Sequence, residues 1–192
     1  MEGSNILVII LIIIVSIAGL FALIWFNQSR TPESKLNNML DKISPDFSFY
    51  DLNGKNYSLE NLKGKNVVLF FSEGIRCYPA CWNQIAFFGS DVRFNAGDIT
   101  VLSVVIDSPE DWKKVINKIE GLDKAIIAID KNGLASKKFG MLTLPSSMKY
   151  GSQPGHTYVI LDKQGIVRYV FDDPRMAVNS DQIFNEILKL NK

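Results

Sequence analysis

The chain has 192 residues, 47% of them hydrophobic, with 21 Lys and Arg against 20 Asp and Glu, a formal net charge of +1. That length holds one membrane segment and one ordinary soluble domain, and leaves no room for a second enzyme domain. The balanced charge, with no basic block interleaved with aromatics, excludes nucleic acid as a partner.

Residues 1–5 form a short tail, and from Ile6 to Phe26 the sequence ILVIILIIIVSIAGLFALIWF carries no charge. This run is long enough to cross the roughly 30 Å hydrocarbon core as a helix. Residues 6–26 are therefore expected to anchor the chain in a membrane. A cleaved leader would pair a shorter apolar stretch with a basic start, and Met1–Asn5 has neither Lys nor Arg. Trp25 suits an interfacial position near the far end. Two considerations oppose each other on orientation. Arg30, Lys35 and Lys42 follow the span and no basic residue precedes it, which by the positive-inside rule alone places the remainder in the cytoplasm. Paired cysteines, in contrast, persist on the oxidising outer face. The second argument sets the expectation: a single-pass protein of the cell membrane with an extracytoplasmic soluble domain.

Residues 27–43 read as a polar linker followed by a helix from Pro32 to Ile43, with Leu36, Met39, Leu40 and Ile43 on one face. From residue 44 to 192 the pattern is that of one α/β domain. Phe47–Asp51 and Tyr57–Leu59 flank Asn53-Gly54, a strong hairpin signal. The continuous apolar runs Val67–Phe71, Ile99–Ile106 and Ala125–Ile129 are what buried parallel strands give. Between the last two, Trp112, Val115, Ile116 and Ile119 recur at helical spacing within Glu110–Glu120, which makes a β-α-β unit.

The only two cysteines stand directly after the first apolar run, as Cys77-Tyr78-Pro79-Ala80-Cys81. Proline suits the first helical position, so Pro79 predicts a helix start with Cys77 just outside it and Cys81 in its first turn. A helix N-terminus favours a thiolate, and Arg76 adds a positive charge beside Cys77. A static staple is a poor account of the pair, because closing so short a loop removes little chain entropy. Trp82 reads as packing for this helix and Glu73 as an ordinary loop carboxylate. Asn27-Gln28-Ser29 and Asn56-Tyr57-Ser58 match glycosylation sequons, patterns short enough to arise by chance.

A short helix is expected over Gly133–Phe139, then a loop rich in Gly, Pro and Ser from Leu144 to Gly155. Thr157–Leu161 and Ile166–Phe171 bracket Asp162-Lys163-Gln164-Gly165 as an antiparallel hairpin. Asn179 or Ser180 is placed to cap a final helix carrying Ile183, Phe184, Ile187 and Leu188. His156 is the only histidine.

Taken together, SPDFSFYDLNGKNYSLENLKGKNVVLFF, VVIDSPEDW and HTYVILDKQGIVRYV resemble the thioredoxin-like superfamily. Within it they are similar to alkyl hydroperoxide reductase/thiol-specific antioxidant proteins and membrane-anchored thioredoxin-like oxidoreductases. The resemblance implies a central mixed β-sheet flanked by helices, extended by an N-terminal β-hairpin. It puts His156 where thioredoxin-like reductases carry an active-site proline or peroxiredoxins an arginine, facing the cysteines. Proton acceptor, thiolate partner, metal ligand and solvated loop residue are its possible readings.

The sequence departs from its relatives at the cysteines. A thioredoxin-type pair would be Cys-x-x-Cys, and one further residue intervenes here. A typical peroxiredoxin presents Pro-x-x-x-Thr/Ser-x-x-Cys, whereas Gly74 and Phe70 precede Cys77, and Tyr78 and Gly74 precede Cys81, at those spacings. Dithiol–disulfide exchange is accordingly the expected chemistry. Cys77, the more exposed sulfur, attacks a disulfide or a peroxide, Cys81 resolves the intermediate, and His156 and Arg76 assist. No flavin or nicotinamide motif is present, so an external dithiol protein must regenerate the pair. Cys-x-x-x-Cys with a distant histidine also resembles Sco-type copper-delivery proteins on the same fold, which makes Cu(I) on Cys77, Cys81 and His156 the alternative. That family's histidine lies about two residues further upstream, and no Met or second His adjoins the cysteines in sequence.

Overall fold

The computed structural model describes residues 2–28, 32–95 and 97–190. Linker residues 29–31, including Arg30 and part of the first sequon, fall outside them. Six helices, α1 (Glu2–Gln28), α2 (Pro32–Asn37), α3 (Ala80–Ser90), α4 (Pro109–Val115), α5 (Leu134–Lys138) and α6 (Ser180–Lys189), accompany seven strands. The strands are β1 (Ser48–Tyr50), β2 (Asn56–Ser58), β3 (Asn66–Phe71), β4 (Ile99–Val105), β5 (Ile127–Ile129), β6 (Thr157–Leu161) and β7 (Val167–Asp172).

Helix α1 begins four residues before the expected span and runs two beyond it. Its Val8–Trp25 stretch is long and apolar enough to cross a membrane, and none of it is buried. An all-round apolar helix with no buried side is not a core helix. By length and composition it fits a membrane span or a signal sequence.

The sheet order is β2-β1-β5-β4-β3-β6-β7. The three apolar runs become β3, β4 and β5, paired parallel as expected, while β6 joins β3 antiparallel and continues into the β6–β7 hairpin. The N-terminal hairpin does not stand apart from the domain. Tyr50 of β1 pairs with Ile129 of β5, so β1 and β2 extend the same sheet. Gly54 turns the hairpin at φ +83°, a conformation open to glycine.

Strand residues alternate between two cores. Val68, Phe70, Tyr158 and Ile160 pack with Cys81, Trp82 and Ile85 of α3, Trp112 of α4 and Ile183 of α6. Val67, Leu69, Phe71, Val159 and Leu161 pack with Phe47, Phe49, Leu36 and Phe139.

The expected helix 32–43 is cut short at Asn37. Asp41 adopts φ +59°, and the chain exchanges helical bonds for sheet-edge bonds, Asp41 N–H to Val167 O (2.8 Å) and Val167 N–H to Lys42 O (2.9 Å). Leu36 alone of the predicted face is buried, and Ile43 is 73% exposed. Helix α4 also ends early, where Lys118 N–H bonds Val115 O and tightens the turn. Asn179 occupies the N-cap of α6 but makes no side-chain cap bond.

Candidate active site

Strand β3 delivers the chain to a 3-10 turn, Gly74–Arg76, which leads into Cys77. Gly74 has φ +65°, and a Cβ added there would overlap Asp107 Oδ2. That carboxylate accepts the Ile75 N–H (3.0 Å) and the Trp112 indole N–H (3.1 Å), and its burial raises its pKa above the ordinary value. The turn before the cysteines is thereby fixed to the end of β4. Gly74 stands three residues before Cys77, and the close approach of Asp107 leaves no space there for the hydroxyl side chain of a peroxiredoxin motif.

Pro79 is the N-cap of α3, so the helix begins at Ala80, one residue later than expected, and Pro79 follows a cis Tyr78–Pro79 peptide bond. Cys81 lies in the first turn, its N–H bonded to Cys77 O at 2.9 Å. Cys77 and Cys81 form a disulfide with Cα atoms 5.3 Å apart. Both are buried. Cys77 keeps 3% exposure and Cys81 none, so the expected difference between the sulfurs survives only as a narrow one. Arg76 is exposed on the 3-10 turn, where solvent and salt screen its charge.

His156 faces the pair from the loop end before β6, with Nδ1 3.5 Å from Cys81 Sγ. It is fully buried, which excludes the solvated-loop reading. Its backbone N–H donates to Ser146 Oγ at 2.7 Å, a contact that depends on Gly155, where a Cβ would meet Ser146. Burial lowers the imidazole pKa to about 4, so the ring is neutral at pH 7. Cys77, Cys81 and His156 offer ligand atoms within 4.8 Å of one another.

Other residues complete the site. Met176 reaches back with its Sδ 3.8 Å from Cys77 Sγ, supplying the thioether missing beside the cysteines in sequence. The turn that carries it is shaped by Asp173, whose carboxylate accepts the N–H groups of Arg175 (3.0 Å) and Ala177 (2.9 Å) and the Asn179 amide (2.8 Å). Gln84 and Tyr158 lie behind His156, Tyr158 Oη being 2.8 Å from its Nε2. Gln84 is three residues after Cys81 on α3, a spacing that puts it on the same helix face, and Tyr158 lies in β6 two residues after His156. Glu73 is no ordinary loop carboxylate: it is buried and accepts the N–H groups of Met148 and Lys149, tying down the 144–155 loop. Trp82 packs as expected, its indole donating to Ile75 O at 3.2 Å, and with Tyr78 it walls a surface hollow beside the pair.

The chain is 30% identical over 171 residues to peroxiredoxin Q of Sedum lineare, covering 86% of each. It is 30% identical over 145 residues to thiol-disulfide oxidoreductase ResA of Bacillus thuringiensis, covering 75% of this chain and 81% of that one. Peroxiredoxin Q of Triticum aestivum matches at 30% over 132 residues, and there the chain spans only 58% of its relative's length. Among solved structures, peroxidoxin BcpB of Mycobacterium tuberculosis superimposes with a TM-score of 0.65 at 18% identity, covering 80% of this chain and 98% of that one. This last likeness concerns the fold. Residues 40–170 match the AhpC/TSA family, and a match over that share of the sequence, on a sheet of this topology, makes the chain a member of it.

Proposed function

We propose that the chain is a thiol–disulfide oxidoreductase of peroxiredoxin-like type, tethered to the membrane through residues 6–26 with its dithiol domain outside the cytoplasm. The observation that carries the reading is the Cys77–Cys81 disulfide at the start of α3, with His156 against Cys81. Reduced Cys77 attacks the sulfur of a substrate disulfide, and Cys81 displaces the resulting mixed disulfide to close the internal bond. A peroxide would instead oxidise Cys77 to a sulfenic acid that condenses with Cys81, releasing water. Disulfides are favoured as substrates by the glycine at position 74. An external dithiol protein returns the pair to the reduced state.

Cys77→Ser is expected to abolish exchange, and Cys81→Ser to accumulate the mixed disulfide, both read by mass spectrometry of the quenched reaction. Unchanged turnover in both variants refutes the proposal. The orientation is tested by protease protection in intact cells, where a shielded C-terminus would place the domain in the cytoplasm.

One observation favours a second reading. The two cysteine sulfurs and the histidine nitrogen lie within 4.8 Å, with the Met176 thioether against Cys77. These are soft donors suited to Cu(I) carried as cargo. Reduced protein should then hold about one Cu(I) per chain, less tightly in His156→Ala. Reduced protein that takes up no Cu(I) ends that reading.

A further inference from the structure

Behind the disulfide runs a series of buried polar groups whose donors and acceptors can be assigned one at a time. The Asn179 backbone N–H lies 2.7 Å from Gln84 Oε1, and because a backbone N–H only donates, this fixes the orientation of the Gln84 amide. Gln84 Nε2 accordingly donates to Ser180 Oγ at 2.9 Å. Tyr158 Oη stands 2.9 Å from the same Oε1, so the one phenolic proton is directed there. Only lone pairs remain on Tyr158 Oη for His156 Nε2 at 2.8 Å. The other neighbour of Nε2, the Ala177 carbonyl at 3.1 Å, is also purely an acceptor. Nε2 therefore carries hydrogen. The ring is fully buried and, among the described residues, no carboxylate hydrogen-bonds to either nitrogen, so it is uncharged and that hydrogen is its only one. Nδ1 is left with a free lone pair 3.5 Å from Cys81 Sγ.

We infer that Gln84, Tyr158 and the Ala177 carbonyl lock His156 as its Nε2–H tautomer, so that Nδ1 takes the thiol proton of Cys81 in the step that closes the disulfide. The inference rests on the exchange reaction proposed above and assigns its base. In the first step the Cys77 thiolate bonds to one sulfur of the substrate R–S–S–R, and the first RS⁻ departs with the S–S electron pair. In the second, Cys81 sulfur attacks Cys77 sulfur as its proton moves to Nδ1. The Cys77–S–R bond breaks, and the second RS⁻ leaves and takes that proton from the imidazolium. Two protein thiols are oxidised and one substrate disulfide is reduced to two thiols. Departure of the second thiol with that proton returns the ring to the neutral state that accepts the next one. His156 contacts a reacting sulfur and is catalytic. Gln84 and Tyr158 are positioning residues.

The tautomer is read by 15N NMR of the full chain in detergent micelles, in the disulfide form. A one-bond proton coupling is expected on Nε2 and none on Nδ1, whereas a proton on Nδ1 overturns the inference. This measurement requires no turnover, so it stands independently of the exchange reaction. Rapid mixing of reduced protein with an aryl disulfide then separates the first thiol release, due to Cys77, from the second, due to Cys81. His156→Asn retains an amide without a basic nitrogen, and is expected to slow the second release about a hundredfold, the low end for general-base catalysis, while sparing the first. Tyr158→Phe should slow the second release less, since Ala177 still holds the ring, and should add a minor Nδ1–H signal. An unchanged second release in folded His156→Asn also overturns the inference. Absence of both releases in the unaltered chain would instead defeat the exchange reaction.

Discussion

The two faces of the sheet are built from the same strands and behave as different materials. On one, Leu69, Phe71, Val159 and Leu161 meet Phe49, Phe139 and Leu102, apolar groups with no polar partner to find. On the other, Phe70 stacks on Tyr158 with ring centroids 4.8 Å apart, and His156, Cys81 and Gln84 are enclosed in the same layer. The first face draws its strength from filled volume, where substitution costs scale with the space emptied. The second contains polar atoms whose donors and acceptors are matched to one another, where a change of one atom alters the chemistry at nearly constant volume.

The sharpest way to break this contrast is Phe71→Ala on the apolar face. It should cost about 3–5 kcal/mol in urea unfolding, yet leave the second thiol release of the folded fraction unaltered. A parallel loss of that rate would mean the faces are coupled.

Acid provides the next largest effect, and it belongs to the polar face. His156 titrates at about 4 when folded against an ordinary 6.5, so between those values the unfolded chain binds the extra proton. Stability is thus complete above pH 6.5 and falls as pH drops to about 4. The loss is about 3 kcal/mol at ~1.4 kcal/mol per pH unit. Asp107, raised by burial, acts in the opposite sense at low pH. The difference between the unaltered chain and His156→Asn, followed by thermal unfolding from pH 7 to 4, isolates the imidazole. Parallel curves would contradict the burial argument.

Asp107→Ala should have the smallest effect. It removes the acceptor of Ile75 N–H and the Trp112 indole, which costs about 1–3 kcal/mol. Hydrogen exchange at Ile75 and Cys77 should quicken while amides of β1 and β2 stay protected. Uniform quickening would show that the turn is not held locally.

Much of the apolar framework is legible in the sequence, because continuous buried strands and a strong turn dipeptide leave local signatures. Val67–Phe71 and Asn53-Gly54 are of that kind. Helix 32–43 misleads because its periodicity is real but its last turn has a better offer from β7, a contact 127 residues distant between Asp41 and Arg168. The cysteines and His156 are legible through residue type and resemblance. Met176, 99 residues from Cys77, and Asp173 are not, since a turn that folds one thioether onto a disulfide has the composition of any surface turn. Glu73 reads as a loop carboxylate because nothing local reveals the two amides that converge on it.

The contact between Gly74 and Asp107 bears on descent. A hydroxyl-bearing residue three places ahead of Cys77 requires the carboxylate to move first, and the carboxylate anchors both the turn and Trp112. No single codon change leads from this chain to the peroxide-binding arrangement of its cousins. Phe70, which stands where that motif has its proline, would have to change as well, so the peroxide-binding arrangement lies several coupled replacements away.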